Sequence, residues 1–245
     1  MKSTIKYLSI VAVLFAAFLI SSANAQTADK NLSRKVRDRI LTYYPQANIS
    51  VKDEGTGKIK LTGDTDVLYD KLRIFEIVSG IQGVHKIENS IVVNTTQLPD
   101  AEILANIKSE LNLVRGISEP DLLQIAVSNG VAILKGKVRF QREKTVLETM
   151  VSWQEGVKGI VNEVEVMPIL NAISDSSLNG TINDLLTSQF GPEKEVQFSV
   201  KTGHVTLDGH VSTLWAKFKI EDEIRRIVGV TKVINNLEVS ENYGA

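Results

Sequence analysis

Residues 83–89 read GVHKIEN, residues 156–162 read GVKGIVN and residues 229–235 read GVTKVIN. The three heptads are spaced by 73 residues each time. The register extends upstream without gaps. Gly63, Gly136 and Gly209 each stand 20 residues before the heptad glycine, and Gly57, Gly130 and Gly203 stand six residues earlier again. Downstream, Ile91 and Val93 match Val164 and Val166, then Leu237 and Val239. A fixed period of this kind is the mark of a repeat architecture. The chain is three copies of one unit.

One unit can be read from its apolar spacing. Leu32, Val36 and Ile40 correspond to Ile103, Ile107 and Leu111, then to Leu178, Ile182 and Leu186. That i, i+4, i+8 spacing lines one face of a helix. Ile49 and Val51, Ile125 and Val127, Phe198 and Val200 alternate as a strand does. DEGTG (53–57), SNG (128–130) and KTG (201–203) are turn signals, so the next strand closes a hairpin. Its inner face carries Ile59 and Leu61, Ala132 and Leu134, Val205 and Leu207. A second helix follows, with Ile74 and Val78, Leu147 and Val151, Ile220 and Ile224 on one side. Gly83, Gly156 and Gly229 are expected to stop it, since glycine takes the left-handed conformation without a Cβ clash. The following Val enters the core and a third strand begins. Asn89, Asn162 and Asn235 share the alternation of that strand's buried residues. They read as side chains bonded to backbone at a bulge or strand edge, in preference to ligand contacts.

The first 25 residues read as a cleaved signal peptide. Lys2 and Lys6 give a basic start, YLSIVAVLFAAFLI an apolar run, and Ala23-Asn24-Ala25 a small-x-small site. The run falls short of the ~20 residues a membrane-spanning helix needs. The expected address is the periplasm. The units are expected at 29–95, 99–168 and 174–240, joined by NTTQLPD (94–100) and PILNAISDSS (168–177). A unit of this size buries only about 60% of its unfolded surface and needs support from its neighbours. The chain has no cysteine and a formal net charge of −1. Removing the two leader lysines takes the balance to about −3, which argues against bulk nucleic-acid binding.

The motif Gly–six–Gly–twenty–Gly-Val–x–x–(Ile/Val)–x–Asn, met three times, resembles the BON (bacterial osmotically inducible Y and nodulation) domain family. It runs through Gly63, Gly83 and Asn89, through Gly136, Gly156 and Asn162, and through Gly209, Gly229 and Asn235. The resemblance covers nearly all of the chain after the leader. It implies an α+β fold of three tandem αββαβ units, each with two helices on a three-stranded mixed sheet. It also implies an exported, envelope-associated, non-enzymatic module that binds phospholipid surfaces in osmotic or envelope stress, with no catalytic residues and no cofactor. The alternative is a periplasmic protein–protein interaction or chaperone-like module working through sheet edges and helix faces. The expected partner is thus an anionic phospholipid surface or an envelope protein.

The candidate chemistry is sparse. His204, Asp208 and His210 share one strand face, but neither other copy has matching ligands, so no metal is expected. No Ser/His/Asp order, phosphate-binding loop or acid pair stands out. The stretch KGKVRFQREK (135–144) is the strongest signal. It sets Lys135, Lys137, Arg139, Arg142 and Lys144 around Phe140, with Glu143 the one acid. Basic side chains about an exposed aromatic suit anionic headgroups, at about 1 kcal/mol per basic residue near the surface. The plainer reading is a solvated run with Phe140 buried like its counterpart Val67. Trp153 aligns with Gly80 and Arg226, and is expected either exposed or packed between units. Lys71, Lys144 and Lys217 share one helix position, where a solvated Lys is the ordinary expectation. Finally, Val131, Ile133 and Val161 make the central sheet apolar on both faces. A neighbouring unit is expected to cover them.

Overall fold

The computed structural model describes residues 31–167, 173–191, 193 and 195–240. The expected leader and the first half of the second linker, 168–172, lie outside that range. The first unit comprises α1 (31–43), β1 (Ile49–Asp53), β2 (Lys58–Thr65), α2 (Leu68–Ser79) and β3 (Lys86–Val93). In the second are α3 (Asp100–Leu113), β4 (Leu123–Ser128), β5 (Val131–Val138), α4 (Gln141–Ser152) and β6 (Gly159–Val166). The third holds α5 (Asp175–Gln189), β7 (Val196–Lys201), β8 (His204–Val211) and α6 (Leu214–Arg225). Its last strand is split into β9 (Lys232–Asn235) and β10 (Glu238–Val239). The hairpin strands pair antiparallel, and the strand after the second helix pairs parallel to the middle one. This is the αββαβ unit, three times over, with mixed sheets.

Pleating puts alternate residues of the middle strands on one face. Ile59 and Leu61, Ala132 and Leu134, Val205 and Leu207 are there fully buried. The second helices close over them with Ile74 and Val78, Leu147 and Val151, Ile220 and Ile224, also fully buried. The first helices add Val36 and Ile40, Ile103 and Ile107, Leu178 and Ile182.

Two glycine positions of the motif are dictated by geometry. Gly63, Gly136 and Gly209 pair opposite the first residue of the hairpin's other strand, at φ of 128°, 110° and 111°. A Cβ at these places would come 2.1, 2.0 and 2.0 Å from the carbonyl oxygens of Asn48, Leu122 and Glu195. The heptad glycines act differently from the expectation. The second helices end at Ser79, Ser152 and Arg225, four residues before Gly83, Gly156 and Gly229. The helix ends are followed by a turn in which Val84, Val157 and Val230 donate to the carbonyls of Ile81, Gln154 and Ile227. The glycine closes that turn with a positive φ of 94°, 84° or 97° and points the chain into the third strand. It ends the loop; it does not end the helix.

The heptad Asn joins that strand to the helix. Its Oδ1 accepts from the backbone N–H two residues on, at 3.3 Å from Ile91, 3.2 Å from Val164 and 3.1 Å from Leu237. Its Nδ2 donates to the Lys71 carbonyl, to Glu148, or to both the Lys217 carbonyl and Glu221. Acids at the first helix starts make a further staple. Asp100 accepts from the N–H groups of Asn129 and Gly130 at 2.8 and 2.9 Å, and Asp175 from Thr202 and Gly203 at 2.8 and 3.0 Å. The amides of Gly203 and Thr202 hold the Asp175 carboxyl below its usual range.

The units pack on each other in a cyclic order. Leu68 and Val93 of the first unit are buried in the core of the second. Leu214 of the third is buried in the core of the first, where Val239 also packs. Leu68 and Leu214 are equivalent positions, as are Val93 and Val239. Aromatic contacts accompany both junctions. Tyr69 stacks on Trp153 with centroids 4.1 Å apart, and Phe75 meets Phe218 at 5.9 Å. Trp153 is therefore both exposed on one side and packed between units. The expected cover over the central sheet is not found. Val161 is 43% exposed, and Val131 and Ile133 are half-buried. The units meet through helix starts, helix ends and strand ends, which leaves the outer sheet face to solvent.

Candidate functional site

The third junction, between units two and three, differs from the other two. The start of α4 and the end of β6 face the turn after α6 across a groove of about 800 Å³. Among the described residues lining it, Arg139, Arg142, Lys144, Arg225 and Arg226 are basic, and Glu165 is acidic. Phe140, Val166 and Val228 also line it, and are 39%, 39% and 46% exposed.

The local fold explains why these side chains stand where they do. Phe140 precedes α4 in extended conformation. Glu143, three residues on, turns inward. Its carboxylate accepts from the N–H groups of Arg139, Phe140 and Ser118 at 2.8, 3.4 and 3.1 Å, and from the Ser118 hydroxyl. Burial alone would raise its pKa. The Ser118 hydroxyl and the three amides together outweigh that and hold it below the usual carboxylate range. The one acid of the stretch is thus consumed in fixing the chain before α4, and the groove keeps its basic side chains.

Those basic groups are held to different degrees. Arg139 pairs with Glu119, Arg225 with Glu221, and Arg226 with Asp222 at 2.7 Å. None of these carboxylates lines the groove. Arg142 lies over the Phe140 ring, 4.9 Å from its centroid. Lys144 donates to the Val164 carbonyl at 2.9 Å. Neither makes an ion pair with a carboxylate among the described residues. A guanidinium carries five N–H donors in a planar fork, so even the paired arginines retain donors for an anion.

Of the six residues singled out in the sequence, Arg139, Phe140, Arg142 and Lys144 come together in the groove. Lys135 and Lys137 do not. They are exposed on β5, where Lys135 pairs with Glu163 at 2.9 Å across to β6. Phe140 is 39% exposed at the open junction, and its counterpart Val67 is itself only half-buried. Arg225, Arg226 and Val228, from the third unit, were not legible as site residues. Their only trace was the alignment of Arg226 with Trp153. No cluster of three or more His, Cys, Asp or Glu residues fit to hold a metal occurs among the described residues. His210 lies near Glu195 and Glu238, at 3.5 and 3.9 Å. Among the described residues, no helix is long and apolar enough to cross a membrane.

Comparison with known proteins gives one firm result. The family model of the BON domain matches residues 28–95, 99–168 and 174–241. No curated protein sequence matches the chain. Among solved structures, it is similar to the C-terminal domain of CdsD, the structural protein of the type III secretion system of Chlamydia trachomatis. Identity is 16%, over 82% of this chain and 95% of that one, with a TM-score of 0.22. A second structure of CdsD from the same organism gives 16% identity, 84% and 94% coverage, and a TM-score of 0.23. Overlap that low says nothing of function. The family match spans most of the sequence, and the chain belongs to the BON domain family, as three tandem copies.

Proposed function

We propose that this chain is an exported, non-enzymatic envelope protein that holds anionic phospholipid surfaces of the periplasm under osmotic or envelope stress. BON domains are in general binding modules for lipids or proteins and are not catalysts. The observation that favours lipid here is the second unit's basic run. Its Phe140 is 39% exposed between Arg139 and Arg142, with Lys135 and Lys137 exposed on the adjoining strand. An exposed ring beside several cations matches the boundary between acyl chains and anionic headgroups.

Co-sedimentation of the chain lacking residues 1–25 with vesicles tests the reading. Phosphatidylglycerol vesicles should retain the protein and phosphatidylcholine vesicles should not, and added salt should weaken retention. Replacing Lys135, Lys137, Arg139 and Arg142 together with Gln should cost most of the binding and flatten the salt dependence. Equal retention on both vesicle types, or no loss in the fourfold variant, defeats the proposal.

A further inference from the structure

The repeat lets the three junctions be compared position by position. At the first, Tyr69 of α2 stacks on Trp153, the residue just after α4. At the second, Trp215 of α6 is the counterpart of Tyr69, and Gly80, just after α2, is the counterpart of Trp153. The Cβ of Trp215 lies 3.8 Å from where a Cβ on Gly80 would stand. At the third, the same two positions hold Arg142 and Arg226, and both line the groove.

The apolar plugs follow the same rule. Leu68 seals the first junction and Leu214 the second, each buried in the neighbouring core. Their counterpart at the third is Gln141, which lines the groove. Val93 is buried in the next unit, and Val239 packs against the first unit's core. Their counterpart Val166 is 39% exposed. Two like charges and an amide thus stand where the other junctions have aromatic and aliphatic contacts. Arg142 makes no carboxylate ion pair among the described residues, and Arg226, paired with Asp222, keeps further guanidinium N–H donors, so an anion in the groove can engage both. The groove volume of about 800 Å³ falls in the range of small-molecule sites, about 300–1,000 Å³.

We infer that this third junction is a ligand-bridged cleft. A phosphate ester binds between Arg142 of the second unit and Arg226 of the third, with Lys144 beside it, and its apolar substituent lies on Phe140, Val166 and Val228. The guanidinium fork matches phosphate oxygens in pairs, which a lysine cannot do. The ligand then supplies the closure that Tyr69–Trp153 and Trp215–Gly80 supply by themselves. Its site is separate from Lys135 and Lys137, so surface binding through those lysines can survive its loss.

Titration calorimetry on the chain lacking residues 1–25 tests the cleft with two water-soluble probes. These are glycerol phosphate, and dihexanoyl phosphatidylglycerol kept below its micelle concentration. The short-chain lipid should bind, and R142Q and R226Q should each weaken it about tenfold or more, the usual worth of one charge-assisted hydrogen bond. Lys108→Gln, on the exposed side of α3 and away from the groove, should bind as the unaltered protein does. The charge reversal R142E should lose the ligand. Glycerol phosphate binding as tightly as the lipid would assign the site to soluble phosphate esters and remove the apolar half of the inference. Lipid affinity unchanged by both R142Q and R226Q overturns the cleft altogether. Vesicle binding that fails while the monomeric probe still binds would defeat the surface reading and leave the cleft standing.

Discussion

Tyr69 and Trp153 lie 84 positions apart in the chain, yet their rings stack at 4.1 Å with an interplanar angle of 19°. The pair joins the start of α2 to the end of α4, so it reports whether units one and two form one body. A double-mutant cycle with Tyr69→Ala and Trp153→Ala should give a coupling energy of about 0.5–1.5 kcal/mol by urea denaturation. Strict additivity would mean that the rings contribute nothing to the junction.

Glycine substitutions should separate by backbone geometry. Gly136 has φ 110°, and a Cβ there would meet the Leu122 carbonyl oxygen at 2.0 Å. Backbone cannot move aside as a side-chain tip can, so Gly136→Ala should destabilise by more than about 2 kcal/mol. Gly180 lies within α5 with nothing within 4 Å of an added Cβ. Gly180→Ala should stabilise by about 0.5–1 kcal/mol, through helix propensity alone. Equal effects at the two sites would contradict the geometry.

The depressed carboxyls set the acid limb of stability. Asp175 is held down by the amides of Gly203 and Thr202, and Glu143 by Ser118 and the amides before α4. Over the pH range between folded and unfolded pKa values the unfolded chain binds more protons. Stability therefore rises with pH there. These contributions are present above the ordinary carboxyl range of about 4 and are lost as pH falls through the folded values. Asp175→Asn and Glu143→Gln should each flatten the fall of the melting temperature below pH 5. An unchanged acid limb would show that these carboxylates titrate alike folded and unfolded.

The fold was legible because it is written three times. Local pattern marked the helices and hairpins, and the threefold register removed the ambiguity of any single copy. The role of Gly83 was misread for a physical reason. Sequence shows a glycine after a helical pattern, but not the extra turn from Gly80 to Gly83 that separates the two. The groove was half legible. Arg139, Phe140, Arg142 and Lys144 are contiguous, whereas Arg225 and Arg226 reach it only through the packing of units, which no single unit's pattern encodes. The cover expected over Val161 failed for the same reason. Apolar content says that a surface favours burial but does not say which surface a neighbour takes.

The cyclic packing makes a sharper claim than stability alone. Leu68 belongs to the first unit by sequence but is buried in the core of the second, and Leu214 belongs to the third but is buried in the core of the first. Truncating a buried Leu to Ala costs about 2–5 kcal/mol. That loss should fall on the unit that houses the side chain. Hydrogen exchange can locate it, because amides lose protection where local stability is lost. Leu68→Ala should speed exchange in β5 and β6 more than in β2, and Leu214→Ala should do so in β2 and β3 more than in β8. Gln141→Leu, which copies the plug of the other two junctions into the third, should slow exchange in the turn from Ile227 to Val230. If each Leu→Ala variant instead weakened only the unit it belongs to by sequence, the junctions would be contacts between self-sufficient units, and the cyclic order would carry no energy.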